Sequence, residues 1–83
     1  MGQKIKQDNK IIIGKNIGKL RIEKNMTQEE MVRQLQLKEI DISRGTYAKI
    51  EIGTRHIEAI ELEAIRDILG TTYEILLKHT GNV

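Results

Sequence analysis

A chain of 83 residues with 14 Lys/Arg against 12 Asp/Glu, net charge +2, allows one domain and little else. It has no Cys, which excludes disulfides and thiolate metal sites as staples for a core that, at this size, buries only about 60% of the unfolded surface. The charge is unevenly spread: residues 1–24 hold seven Lys/Arg and two acids, 25–56 hold five of each, and 57–83 hold two basic and five acidic residues, so one basic end suits a polyanion and one acidic end does not.

The segment 1–10 (MGQKIKQDNK) lacks apolar periodicity and reads as a flexible basic arm, with the ordered domain spanning 11–78 and a frayed tail at 79–83. The start is polar and basic, without a secretory pattern. Met1-Gly2 opens like an acylation site, but Lys6 stands where Ser or Thr is required. No apolar run approaches the roughly 18 residues of a membrane span. The chain therefore reads as cytoplasmic.

Helix 1 is expected from about Ile12 to Lys24, with Ile13, Ile17 and Leu20 on one buried stripe. Gly14 and Gly18 weaken it intrinsically, and Asn25 suits a left-handed ending. Helix 2 starts at Thr27, which with Glu30 makes a capping box. Met26 and Met31 occupy the staple positions beside it. Met31, Val32 and Leu35 supply its buried side. Gln36 to Asp41 form a connector, with room for an extra helical turn at its start. Helix 3 begins at the N-cap Ser43, with Ile42 and Tyr47 as a second staple, Tyr47 and Ile50 inward, and Gly53 as left-handed stop. Helix 4 covers about Ala59 to Leu69 and stops at Gly70. Its apolar residues spread over more than half its circumference, which marks a central helix or one that meets a partner. Helix 5 runs from about Tyr73 to Lys78, capped by Thr72, with Leu76 and Leu77 buried. All elements are helical, so the fold class is all-α.

The outward face of helix 3 sets Arg44, Thr46 and Lys49 around two small residues, Gly45 and Ala48. Small residues permit close approach, and the flanking donors can then reach acceptors. The DNA major groove admits one α-helix, where guanine offers two acceptors to Arg or Lys. The helix starts at Thr27 and Ser43 present free N–H groups that favour phosphate. A plain solvated face remains the alternative on residue types alone.

The run IGKNIGKLRIEKNMTQEEMVRQL, followed by ISRGTYAKIEIGTR, resembles the Cro/phage-repressor helix-turn-helix family, also called the XRE family, over about residues 12–77. The resemblance implies a compact five-helix, lambda-repressor-like DNA-binding fold whose helices 2 and 3 are the reading unit, and with it a double-stranded DNA partner and a transcriptional regulator. It implies a phosphate contact at Gln28 beside the cap Thr27. It implies base-edge or nearby backbone contacts at Ser43, Arg44, Gly45, Ala48 and Lys49, and phosphate contacts at Thr54 and Arg55. Lys15 and Lys19 are further candidates for phosphate. Arg21 and Glu51 match a pair that ties helix 1 to the end of helix 3. The chain departs from the pattern in three ways. The turn Gln36–Asp41 is about five residues longer than the usual one, Val32 and Arg66 replace usual alanines, and Gly45 removes one base-reading side chain.

Rival readings are a protein-interaction module, antitoxin-like or peptide-responsive, and an enzyme. The first rests on the broad face of helix 4 and the long turn. The second finds little support: there is no Gly-rich phosphate loop, no HExxH motif and no Cys/His metal set, so neither cofactor nor metal is expected. His56 reads as an exposed loop residue and His79 as a tail residue. Glu61 and Glu63, two apart on helix 4, read as solvated surface. A homodimer through helices 4 and 5 is open to the same apolar residues that could instead be core.

Overall fold

The computed structural model describes residues 2–78, with side chains from Ile12 onward. Five helices follow in order: α1 (Gly2–Glu23), α2 (Gln28–Leu37), α3 (Arg44–Ile52), α4 (Ala59–Leu69) and α5 (Tyr73–Leu76). Among the described residues there is no strand, so the fold is all-α as expected. The tail His79–Val83, including His79, lies outside the described residues.

α1 begins well ahead of the expected start at Ile12, so the backbone of the segment read as an arm is helical from Gly2. Apolar periodicity marks where a helix touches the core, not where its hydrogen-bond ladder stops. Nothing between Gln3 and Lys10 breaks a helix, since there is no Pro, and an anchored helix propagates into compatible sequence.

Every helix puts at least one side chain into a single core. Ile17, Met31, Leu35, Tyr47, Ile50, Ile65 and Leu76 are fully buried. Val32, Ile40, Ile42, Ala64 and Leu69 complete the core, with Ile13, Leu20 and Met26 packed against it. Each fully buried Leu or Ile contributes on the order of 1.5–3 kcal/mol, so no helix is stable without its neighbours. Two expectations fail here. Leu77 is half-exposed rather than buried, because α5 ends at Leu76 and turns its next residue outward. Glu61 is buried rather than solvated, for a reason given below.

Four helices close in the same way, and this punctuates the fold. After α1, Asn25 takes φ 59°, and Met26 N–H donates back to the Arg21 carbonyl at 3.1 Å. α3 and α4 end at left-handed Gly53 and Gly70, with Thr54 donating to Lys49 and Thr71 to Arg66. α2 ends in the same closure, but on Glu39, whose φ is 67°. Glu39 N–H donates to Gln36 at 2.9 Å and Ile40 N–H to Leu35 at 3.0 Å, which satisfies two otherwise orphaned carbonyls. Ile40 then enters the core beside Leu35. The long connector is thus an ordered helix ending followed by Ile40 and Ile42 as buried anchors. A left-handed Glu costs about 1–2 kcal/mol, and the burial of Ile40 offsets it.

α1 and α3 pack most closely. A Cβ on Gly14 would lie 2.3 Å from the Ile50 carbonyl oxygen and 2.6 Å from that of Glu51. Gly14 therefore does more than weaken α1: it lets the end of α3 lie directly on it.

Candidate nucleic-acid interface

The α2–α3 pair is built from its caps. Thr27 Oγ1 accepts from Glu30 N–H at 3.0 Å, and Thr27 N–H donates to Glu30 Oε1 at 2.8 Å. The expected capping box is therefore complete. At the start of α3, Ser43 Oγ accepts from Thr46 N–H at 3.1 Å and its hydroxyl lies 3.0 Å from Thr46 Oγ1. If Ser43 gives its proton to Thr46, the Thr46 hydroxyl is left free to donate outward.

Arg44, Gly45 and Lys49 are exposed, and Thr46 and Ala48 are half-buried. Among the described residues neither Arg44 nor Lys49 takes part in an ion pair. Nothing lies within 4 Å of where a Gly45 Cβ would stand. The surface singled out in the sequence is therefore a cationic face with a flat centre, and no part of the described body covers it.

The far end of α3 is held by Glu51. Its Oε2 accepts from Arg21 Nε at 2.7 Å and from the Tyr47 hydroxyl, while Oε1 accepts from Gln28 Nε2 at 3.1 Å and Arg21 Nη2 at 3.2 Å. Arg21 Nη1 also donates to the Met26 carbonyl at 2.6 Å. One carboxylate thus ties α1, the start of α2 and the end of α3 with directional, charge-assisted bonds. Burial alone would raise the Glu51 carboxyl, but the hydrogen bonds from Arg21, Tyr47 and Gln28 outweigh it and hold the group below its usual value. Burial, and next the bond to Glu51, push the Tyr47 phenol far up, so it remains a donor. The Arg21–Glu51 pair was legible in the sequence. The parts of Tyr47 and Gln28 were not, although Tyr47 and Glu51 stand four apart on one helix.

Gln28 is partly committed: one amide N–H goes to Glu51, which leaves its second N–H and its carbonyl free. Arg55 is likewise engaged: its guanidinium forks onto Glu61, Nη1 to Oε1 and Nη2 to Oε2, both at 3.0 Å, and Nη1 also reaches the His56 carbonyl at 2.9 Å. Glu61 accepts Glu58 N–H at 3.0 Å as well, which caps α4. This explains its burial: Arg55 and the α4 N-terminus replace solvent around the carboxylate. Desolvation would raise Glu61, yet the Arg55 bonds and the Glu58 N–H hold it below its usual value. Thr54 is exposed, its hydroxyl 3.5 Å from the Lys49 carbonyl. Lys15 and Lys19 are exposed on α1, but Lys19 lines the cleft between α1 and α5 rather than the α3 face. His56 is exposed, as expected.

The candidate residues thus fall into two sets. Ser43, Arg44, Gly45, Thr46, Ala48 and Lys49 lie at the start and along the outer side of α3, with Thr27 and Thr54 exposed beside its two ends, whereas Arg21, Gln28 and Glu51 form the network that holds that helix and Arg55 is paired with Glu61 of α4. Over residues 14–82 the chain matches the family model of a helix-turn-helix domain. The chain belongs to the helix-turn-helix domain family. No curated protein and no solved structure matches it. In this helix-turn-helix domain Lys38–Ser43 joins α2 to α3. Among the described residues no group of acids and histidines has metal-binding geometry, and no helix is long and apolar enough to cross a membrane.

Proposed function

We propose that this domain binds double-stranded DNA sequence-specifically, as a transcriptional repressor of the Cro/phage-repressor type acting in the cytoplasm, with α3 in the major groove. The carrying observation is the bare cationic face of α3, from Arg44 to Lys49, on a helix fixed at its other end by Glu51. Arg44 and Lys49 read base edges, where guanine presents paired acceptors. Gly45 and Ala48 allow the backbone close to the groove floor. Thr46 meets phosphate or a thymine methyl group. Ser43, Thr27, Gln28, Thr54 and the outer edge of Arg55 lie against the backbone and set the register. Glu51 acts as a positioning residue, holding the angle at which α3 leaves the body.

Two copies, joined through the exposed Ile60 of α4 and the half-exposed Tyr73, Ile75 and Leu77 of α5, would present two reading helices. Their half-sites lie about 10 base pairs apart, or a multiple of this. Occupation of such a site blocks other proteins from it, which is repression by exclusion.

The test is fluorescence anisotropy against an operator selected from a random duplex library and against mixed-sequence duplex, over a salt series. Arg44→Ala and Lys49→Ala each cost about 1–3 kcal/mol on the selected site and little on mixed DNA. Arg55→Ala weakens both duplexes alike and lowers the salt slope by about 1. Equal losses on both duplexes for all three variants overturn the assigned roles, and no binding by the parent at low salt overturns the function.

A further inference from the structure

Ile52 is an exposed residue of α3 to which the assignment of contacts above gives no part. Its aliphatic side chain is 65% exposed. Helical geometry says where it stands. At about 100° per residue, Ile52 lies about 170° round the axis from the midpoint of buried Tyr47 and Ile50, and it falls between Arg44 and Lys49. Gly45 precedes it on nearly the same row, two turns earlier, and a Cβ there would meet nothing within 4 Å. Along the middle of its outward side the helix is therefore bare at Gly45, small at Ala48 and bulky at Ile52.

Ile52 is also held in place. It belongs to a closed last turn, where Gly53 N–H and Thr54 N–H both donate to the Lys49 carbonyl at 3.0 Å. An Ile side chain in a helix keeps one strongly preferred χ1. A surface that covers Ile52 therefore immobilises little that is still free.

The flanks of Ile52 decide what covers it. Glu51 is the single carboxylate of α3, and it is bound to Arg21, Tyr47 and Gln28. The outward side of this helix thus carries Arg44 and Lys49 and no acid. A second copy docked face to face would set these cations against their own counterparts. The DNA major groove fits the pattern: it is anionic, and its floor carries one apolar feature, the C5-methyl group of thymine.

We propose that Ile52 is a further specificity-determining residue, whose side chain packs on the C5-methyl group of one thymine in each half-site. The inference rests on the reading of α3 as the helix that enters the major groove. Ile52 lies eight residues beyond Arg44, about 12 Å along the axis. The thymine therefore stands about three to four base pairs from the pair that Arg44 reads. No hydrogen bond enters the contact, so it is sensitive to the methyl group alone.

The experiment uses the full chain and an operator selected from a random duplex library. Each thymine is replaced in turn by deoxyuridine, which removes only the methyl group, and affinity is read by fluorescence anisotropy for the parent, Ile52→Ala and Arg44→Ala. The parent is expected to lose about fourfold at one thymine of each half-site, the effect of one buried methyl group. Ile52→Ala is expected to lose about fourfold or more on the unmodified operator, little on mixed-sequence duplex, and nothing further when that thymine becomes deoxyuridine. Arg44→Ala keeps the deoxyuridine effect there. Ile52 is exposed and Ala is the better helix former, so Ile52→Ala keeps the thermal midpoint of the parent and its loss reports the contact. Deoxyuridine effects in Ile52→Ala equal to those of the parent at every thymine, or equal losses by Ile52→Ala on operator and mixed duplex, overturn the proposal. When the parent selects an operator and Arg44→Ala blurs its preference, those results sink the Ile52 contact alone. A parent that binds no duplex sinks the reading of α3 together with it.

Discussion

Replacing Gly14 by Ala tests the packing that holds the reading helix. By helix propensity alone, the change in mid-α1 should stabilise the protein by about 1 kcal/mol. The tertiary structure reverses the sign. The new Cβ would meet the Ile50 carbonyl oxygen at 2.3 Å, whereas ordinary contact begins at 3.4 Å, so the backbones of α1 and α3 must part by about 1 Å. Both obstructing atoms are main-chain oxygens, and no side-chain rotation relieves them. Parting the helices also stretches the Arg21–Glu51 fork, now at 2.7 Å. Overpacking costs about 1–3 kcal/mol, and rigid main-chain oxygens put this site in the upper part, about 2–3 kcal/mol, so the net loss is on the order of 1–2 kcal/mol after the propensity gain of about 1 kcal/mol. For a domain of this size that lowers Tm by about 4–16 °C. Gly45→Ala is the matched control: the helix is the same type, the position is exposed, and nothing lies within 4 Å. It should gain about 0.5–1 kcal/mol. Urea and thermal unfolding of the three proteins, followed by circular dichroism, measure both. A Gly14→Ala protein as stable as the parent, or more so, would refute the argument that close backbone approach sets the α1–α3 geometry.

Glu51→Gln keeps the shape but removes the charge that Arg21, Tyr47 and Gln28 all bind; a loss of about 2–4 kcal/mol in urea unfolding is expected, since Arg21 is left largely buried without its counter-ion. The parent should also lose stability in acid. Glu51 and Glu61 both have folded-state values below the unfolded one of about 4.3, so stability is complete above that pH and falls as pH drops through the folded values. Urea midpoints at pH 7 and pH 3 check this, and the difference should shrink in Glu51→Gln. Glu39→Gly removes the strain of a left-handed side chain, about 1–2 kcal/mol, and adds the entropy cost of Gly, about 0.5–1 kcal/mol. A net gain of about 0.5 kcal/mol is expected, and a loss would mean that the Glu39 side chain contributes contacts of its own.

Much of the fold was legible in the chain because its signals are local. Capping depends on residues three or four apart, so Thr27 with Glu30, Ser43, Thr72, and the stops Asn25, Gly53 and Gly70 could be placed without coordinates. The bounds expected for helix 4, from Ala59 to Leu69, agree with those of α4 for the same reason. The residues on the open face of α3 were also readable, since helical spacing separates them from Tyr47 and Ile50.

Other features were decided only when the elements met. The left-handed ending at Glu39 carries no local signal, because Glu is a poor left-handed residue. It forms because Ile40 gains a place in the core beside Leu35 and Ile42. Glu61 and Glu63 look alike in the chain, yet one is buried under Arg55 and the other is exposed, a difference set by how the loop after α3 folds back on α4. Gly14 reads as a defect in a helix until the carbonyls of Ile50 and Glu51 arrive against it. Hydrogen bonds within one turn are fixed by neighbours along the chain, whereas burial and charge pairing depend on residues that only folding brings together.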